Sequence, residues 1–347
     1  MRRALFSIIA FISPILLLAL AAVPAASAAP LKVVTTLPAY ASIAQFVGGN
    51  HVQAASISRG DEDAHFVKPK PSYALMLKDA DLFVTTGLDL ELWAPVLVDK
   101  SGNKKIRDGQ PGFVTASQGV RLQEVPANPS RAAGDIHIYG NPHIFTSPLN
   151  GKVIATNIAN GLKRVDPANA AAYDQNLAAF KKELDRRLYG DQLPQILGAQ
   201  TLDNLAFQGK LIPFLQSKDY KGKKLIDSLG GWLKQGMAFR GRKIVTYHKN
   251  WTYFTNLFGL DVAGDVEPKP GIPPSAKHVH DLIERIQNEK IKVVMAPSYF
   301  DPSQAQAIAQ RTGAQALIVP MGPESAGPNA YFNLIDLWVD KLAQAYA

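Results

Sequence analysis

The residues in this chain best suited to chemistry are three histidines that lie far apart in the sequence. His65 precedes a proline-stiffened stretch, His143 ends the segment Gly-Asn-Pro-His, and His248 directly follows the predicted strand KIVTY. Proteins of the α/β class place ligands at the carboxyl ends of strands, and neutral imidazole is the commonest metal ligand. The three histidines therefore predict one divalent-metal site built from two parts of the chain.

The composition restricts the metal chemistry that is possible. Among 347 residues there are seven histidines and no cysteine. The absence of cysteine excludes a thiolate zinc site, a disulfide framework, a cysteine nucleophile and a lipid-modified cysteine anchor. Any transition metal must therefore be held by imidazole nitrogen and by oxygen. Zn²⁺ accepts three imidazoles and one oxygen at about 2.0–2.2 Å.

The first 28 residues are predicted to be a Sec signal peptide. Arg2 and Arg3 precede an apolar stretch over residues 4–20, and the sequence ASA at 26–28 has the pattern of a signal-peptidase site. The apolar stretch is shorter than the roughly 20 residues that a membrane span requires. We therefore expect a periplasmic mature chain that meets the membrane only through a partner. The net charge of +8 comes from scattered basic residues, and we expect no nucleic-acid binding.

Strands and helices alternate along the mature chain, which predicts mostly parallel sheets with helices on both faces. The expected strands form two sets, near residues 31–36, 52–57 and 81–86 and near residues 243–247, 292–296 and 316–319. Between them, apolar residues spaced three and four apart predict one long helix from Asp166 to Gly190. The predicted fold class is α/β, with two α/β lobes with mostly parallel sheets joined by one long backbone helix.

The expected domain boundaries follow from this alternation. The N-terminal α/β lobe is expected over residues 29–150, and the linking backbone helix region over residues 151–190. The C-terminal α/β lobe is expected over residues 191–347. Within it, residues 191–239 carry short helical patterns and glycines that the sequence leaves unassigned.

The histidine motifs resemble those of a known family. His65 with its following prolines, GNPHIFTSP at 140–148 and YHKNWTYF at 247–254 occur in the order of the cluster A-I (ZnuA-like and TroA-like) metal-binding proteins of ABC importers. The resemblance runs from about residue 31 to the C-terminus. It implies a binding protein, not an enzyme, that captures Zn²⁺, or alternatively Mn²⁺ or Fe²⁺. It further implies delivery to an ABC permease and, through it, an ATPase, and we expect a monomer.

Carried over position by position, the resemblance implies His65, His143 and His248 as metal ligands. Many manganese-type members have Glu at the third position, so His248 favours Zn²⁺. A further histidine, His137, lies six residues before His143. We interpret it as a residue that orients a ligand or lies at the mouth of the cleft.

The fourth ligand departs from the family pattern. The family's usual aspartate is missing from the loop MGPESA at 321–326. Asp301 is a candidate because it follows a predicted strand, although an Asp before a proline is also typical of a helix cap. Glu324 or a water molecule could fill the fourth position instead.

Two other functions share some of these features. A secreted zinc hydrolase could use an open metal position to activate water, but the chain has no HExxH and no G-x-S-x-G motif. A zinc buffer without a transporter would use the same site and differ only in its partner. A permease and an ATPase encoded nearby would separate the transport function from the buffer.

Overall fold

A computed structural model describes residues 29–127, 137–269 and 271–347, so the predicted signal peptide lies outside the described residues. The strands are β1 (Leu31–Thr35), β2 (Val52–Ser56), β3 (Leu82–Thr85), β4 (Phe113–Thr115), β5 (Asp219–Tyr220), β6 (Lys223–Lys224), β7 (Lys243–Thr246), β8 (Asp261–Asp265), β9 (Val293–Pro297) and β10 (Gln315–Val319). The α-helices are α1 (Pro38–Gly48), α2 (Pro71–Lys78), α3 (Ala94–Ser101), α4 (Pro148–Val165), α5 (Ala170–Tyr189), α6 (Gln192–Leu197), α7 (Ala199–Phe207), α8 (Leu211–Ser217), α9 (Gly231–Gly236), α10 (Thr252–Phe258), α11 (Ala276–Asn288), α12 (Pro302–Thr312) and α13 (Ala330–Tyr346). Within the described ranges, no helix has both the length and the apolar character of a membrane span.

Two parallel sheets form the two lobes, as the alternation of strands and helices predicts. The N-terminal sheet has the order β2-β1-β3-β4, and the C-terminal sheet has the order β10-β9-β7-β8. All pairs within these two sheets are parallel. The sequence pattern does not predict the edge strands β4 and β8, because β4 has only three residues and β8 (DVAGD) has no fully buried residue and contains a glycine. In each sheet the carboxyl ends of the strands lie at one edge, where the loops that carry the histidines begin.

The predicted long helix is confirmed as α5. Its apolar stripe is buried along its length, and the helix ends at Gly190, whose φ of 81° suits a residue without a side chain. With 20 residues, α5 spans about 30 Å. It packs against α1 from the first lobe, against α4, and against α9 from the second lobe. The sequence pattern does not predict α4, because its glycine, threonine and asparagine residues weaken the helical signal.

One continuous core fastens the two lobes together. The inner faces of both sheets share a single cluster of buried apolar side chains, while the outer face of each sheet has its own smaller cluster. At the centre, Phe46 of α1, Phe180 of α5 and Phe332 of α13 contact one another with ring centroids 5.0–5.8 Å apart. Aromatic pairs of this kind contribute about 0.5–1.5 kcal/mol beyond the area that they bury. The lobes are therefore packed as one unit.

The stretch that the sequence leaves unassigned forms three short helices, the β5–β6 hairpin and α9. A polar cluster fixes its end to the long helix. Asp336 of α13 accepts hydrogen bonds from the indole Nε1 of Trp232 in α9, at 2.6 Å, and from the guanidinium of Arg187 in α5. This polar cluster thus holds α9 and α13 against α5.

Candidate metal centre

Loops from both lobes converge at the carboxyl edges of the two sheets. His65 lies between β2 and α2, and His137 and His143 lie in the loop that precedes α4. His248 follows β7 by two residues in the second lobe. The structure therefore brings together the three histidines that the sequence singles out and adds a fourth, His137.

Three of the imidazoles, those of His65, His137 and His143, are close enough to share one cation, and the ring of His248 lies beside them. One ring nitrogen from each of His65, His137 and His143 lies within 4.8 Å of the other two, and the Nε2 atoms of His65 and His137 are 3.2 Å apart. The ring centroid of His248 is 5.9 Å from that of His143 and 6.2 Å from that of His65. In a tetrahedral zinc site with Zn–N of about 2.05 Å, neighbouring nitrogens are about 3.3 Å apart. The separation of the His65 and His137 nitrogens is thus suited to a tetrahedral ion.

Acceptor groups behind the rings fix their orientation. The Nδ1–H of His65 donates to Asp63 Oδ1 at 2.8 Å, and that of His143 donates to Asn141 Oδ1 at 3.0 Å. The Nδ1–H of His248 donates to the backbone oxygen of Glu267 at 3.4 Å. Bonds of this kind select the tautomer in which Nε2 carries a free lone pair, and they raise its basicity.

His248 gives the clearest sign that a ligand belongs here. Its side chain is 3% exposed, and its Nε2 has no hydrogen-bond partner among the residues that the structure describes. A buried polar atom without a partner costs about 1–3 kcal/mol, so such atoms are rare unless they have a function. A cation bound by Nε2 would satisfy this atom.

Asn250 shows what a cation would have to displace. Its side-chain Nδ2 lies 3.2 Å from Nε2 of His143 and 3.0 Å from the hydroxyl of Tyr299. Because Nδ1 of His143 is the donor to Asn141, its Nε2 accepts from the Asn250 amide. Entry of a metal requires this hydrogen bond to break.

Burial keeps three of the ligand candidates, His137, His143 and His248, neutral. Desolvation, followed by the charge of His65, lowers the pKa of His137 to about 3 and that of His248 to about 4. The same causes lower the pKa of His143 well below its usual value. Burial opposes ionisation of Asp63, but its contacts with His65 outweigh burial and lower its pKa. At neutral pH the imidazoles of His137, His143 and His248 are thus unprotonated, the form that binds metal.

His137 is the functional candidate to which the sequence gives a lesser role. Its ring is stacked on that of His65, with centroids 5.0 Å apart. The only sequence signal is a second histidine six residues before His143. That spacing does not show that the loop folds back over His65.

Asp301 and Glu324 lie outside the converging group. The side chain of Asp301 is exposed and accepts a hydrogen bond from the backbone N–H of Ser303 at 2.9 Å, so its interpretation as the N-cap of α12 is confirmed. Glu324 is also exposed. An exposed cap has no need of a metal, since helix N–H groups satisfy its carboxylate.

The Asp301→Ala variant separates a cap from a ligand. Loss of the cap is expected to lower the free energy of unfolding by about 1 kcal/mol, while zinc affinity stays within about twofold of the parent protein. Chemical denaturation and a zinc competition titration measure the two quantities. A tenfold or larger loss of affinity would restore Asp301 as a ligand.

Comparison with known proteins identifies the family. The family model described as ZnuA, "Zinc-uptake complex component A periplasmic", matches residues 33–188 and 217–345. The chain is 27% identical over 348 residues to the iron-binding protein YfeA of Yersinia pestis, covering 99% of this chain and 95% of the relative. It is 24% identical over 347 residues to the manganese ABC transporter substrate-binding lipoprotein PsaA of Streptococcus mitis, covering 97% and 96%.

Solved structures share the fold. A crystal structure of ZnuA superposes with a TM-score of 0.66 at 21% identity, covering 92% of this chain and 100% of that one. A manganese-bound periplasmic metal binding protein from candidatus liberibacter asiaticus gives a TM-score of 0.62 at 18% identity, covering 91% and 100%. Since the family model spans both lobes and includes all four histidine positions, the chain belongs to the ZnuA family of periplasmic metal-binding, substrate-binding proteins of ABC importers.

Proposed function

We propose that this protein captures Zn²⁺ in the periplasm and delivers it to an ABC permease and, through the permease, to its ATPase. The proposed ligands are His65, His137, His143 and His248, with His137 in the fourth position for which the sequence favours Asp301. The protein acts as a monomer after a Sec signal peptide has been removed. The chain contains no cysteine, the residue that carries the lipid of a lipoprotein.

The observation that carries this proposal is the grouping of ring nitrogens of His65, His137 and His143 within 4.8 Å of one another, with the buried, unpartnered Nε2 of His248 on a ring beside them. Nitrogen-rich sites suit zinc, whereas manganese prefers sites with carboxylate and carbonyl oxygen. The carboxylate of Asp63, which contacts the group, is hydrogen-bonded to Nδ1 of His65 and supports that ring from behind. This donor set favours zinc over the manganese and iron that the names of two relatives mention.

The same donor set supports binding rather than catalysis. A hydrolytic zinc site keeps one position open for water, with three protein ligands. Four imidazoles complete a tetrahedral shell, and the cavity beside His65 and His143 measures about 20 Å³, which is room for about one water molecule. Substrate capture without turnover is the activity that this arrangement favours.

The identity of the metal that the protein carries when it is isolated from its own periplasm tests the proposal. Protein isolated from its own periplasm without chelators or added metal is expected to contain about one equivalent of zinc by elemental analysis. The His143→Ala variant, isolated in parallel, is expected to contain less than a tenth of that amount, because it loses a ligand that Asn141 holds in place. Manganese or iron in place of zinc would contradict the assignment of the metal, and a metal-free parent protein would contradict the function.

A further inference from the structure

A side-chain amide behind the metal centre joins the two lobes. Asn141 accepts hydrogen bonds from the backbone N–H and the ring Nδ1–H of His143, both at 3.0 Å. Its Nδ2 donates in the opposite direction, to the backbone oxygen of Lys249 at 2.9 Å, and lies 3.0 Å from the hydroxyl oxygen of Thr252. Its backbone oxygen accepts from the hydroxyl of Tyr253 at 2.6 Å. The position of His143 is thereby tied to the segment that follows His248.

Glu124 completes this network with a charge. Its Oε2 accepts from Nδ2 of Asn141 at 2.8 Å and from the hydroxyl of Thr252 at 3.2 Å. Its Oε1 lies 3.5 Å from the ammonium of Lys249. A carboxylate, an amide and an imidazole are thus hydrogen-bonded in sequence, from Glu124 through Asn141 to His143.

The backbone at Glu124 is held in an unusual conformation. Its φ is 52°, in the left-handed region, which is unfavourable for a residue with a side chain. Glycine would adopt this conformation freely. Strained residues of this kind cluster at functional sites, where surrounding contacts hold them. The contacts on Glu124 include those that its carboxylate makes with Asn141, Thr252 and Lys249.

We propose that Glu124 is a positioning residue for metal binding. Its carboxylate polarises the Asn141 amide, which strengthens the acceptor oxygen that holds Nδ1–H of His143. Through Lys249 and Thr252 it also fixes the distance between the His143 loop and the His248 loop. This inference rests on the proposed function only in that His143 and His248 bind the ion.

The Glu124→Gly variant separates positioning from folding. Glycine relieves the positive φ, so we expect the unfolding midpoint of the metal-free protein to stay equal or rise. Zinc affinity is expected to fall by about 10-fold, the lower end of the cost of removing a partner that contacts a metal ligand directly, because Glu124 acts on His143 through Asn141. The Glu124→Gln variant keeps an acceptor oxygen and loses the charge, and its affinity is expected to fall only a few-fold.

A spectroscopic measurement detects the positioning directly. In the metal-free parent protein, nitrogen NMR shifts of the His143 ring are expected to report Nδ1 as protonated and Nε2 as bare. In Glu124→Gly, a fraction of the opposite tautomer is expected to appear. A matched control is Lys290→Gly, because Lys290 is exposed and has the same φ of 52° at the turn after α11.

Each outcome supports or overturns the role of Glu124. Unchanged zinc affinity and an unchanged His143 spectrum in Glu124→Gly would overturn the inference while leaving the proposed function intact. A lowered unfolding midpoint with parental affinity would also overturn it, since Glu124 would then act only on the fold. If the parent protein binds no zinc, the proposed function fails and the inference fails with it.

Discussion

Replacement of His143 by alanine is expected to weaken zinc binding by more than a hundredfold, the largest effect of any single substitution at the site. His143 is 3% exposed, and its Nδ1 is fixed by Asn141, so the variant loses a ligand that is already held in its binding orientation. Loss of an outer partner costs about 10- to 100-fold, and loss of the ligand itself exceeds that. A competition titration against a chelator of known affinity measures the change.

The same titration compares the four histidines. His65→Ala, His137→Ala and His248→Ala are each expected to weaken binding by at least tenfold. His280→Ala is the matched control, because its imidazole is 63% exposed on the surface of α11, and its affinity is expected to equal that of the parent. An undiminished affinity for His137→Ala would remove His137 from the ligand set and leave the fourth position to a water or another oxygen ligand.

Lowering the pH from 7 to 5 is expected to destabilise the metal-free protein by several kcal/mol. His137, His143 and His248 have pKa values below the unfolded value of about 6.5, so the unfolded chain binds more protons in this range. The contribution of these neutral imidazoles to the free energy of unfolding is therefore fully present above about pH 6.5. It is lost as the pH falls toward their lowered pKa values in the folded state. For His248, with a folded pKa of about 4, the loss at pH 5 is about 2 kcal/mol.

Denaturant unfolding at pH 7, 6 and 5 measures this loss. A His248→Gln variant serves as the control, because it removes one titrating group and is expected to show a shallower dependence on pH. Zinc at a thousand times its dissociation constant is expected to add about 4 kcal/mol at pH 7, and less as protons compete for the ligands. If the free energy of unfolding of His248→Gln falls with pH as steeply as that of the parent protein, the assignment of His248 as a buried, neutral imidazole would be contradicted.

The architecture can be predicted from sequence because its signals are local. Strands such as β1 and β7 are compact β-branched runs, and the stripe from Tyr173 to Leu188 has helical spacing throughout. Helix α4 is not predicted because burial against α5 stabilises a sequence whose own helical preference is weak. The edge strands β4 and β8 depend on pairing with β3 and β7, a long-range contact that a short segment does not encode by itself.

The site is only partly predictable, for a related reason. His65, His143 and His248 lie in motifs whose neighbours mark strand ends and stiff loops. His137 has no such neighbours, and its place over His65 depends on how its loop folds back. Asp301 illustrates an ambiguity of sequence, because an Asp-Pro pair at a strand end suits both a ligand and a helix cap, and only the fold shows that its carboxylate is bonded to Ser303.

The proposed zinc site requires four imidazoles from two lobes to bind a single ion. X-ray absorption at the zinc edge of the loaded protein measures the number and kind of these ligands. We expect four light ligands at about 2.0 Å, with the multiple-scattering pattern of four imidazoles, reduced to three in His137→Ala. A shell made mostly of oxygens, or a parental spectrum unchanged by His137→Ala and by His248→Ala, would contradict four-histidine binding.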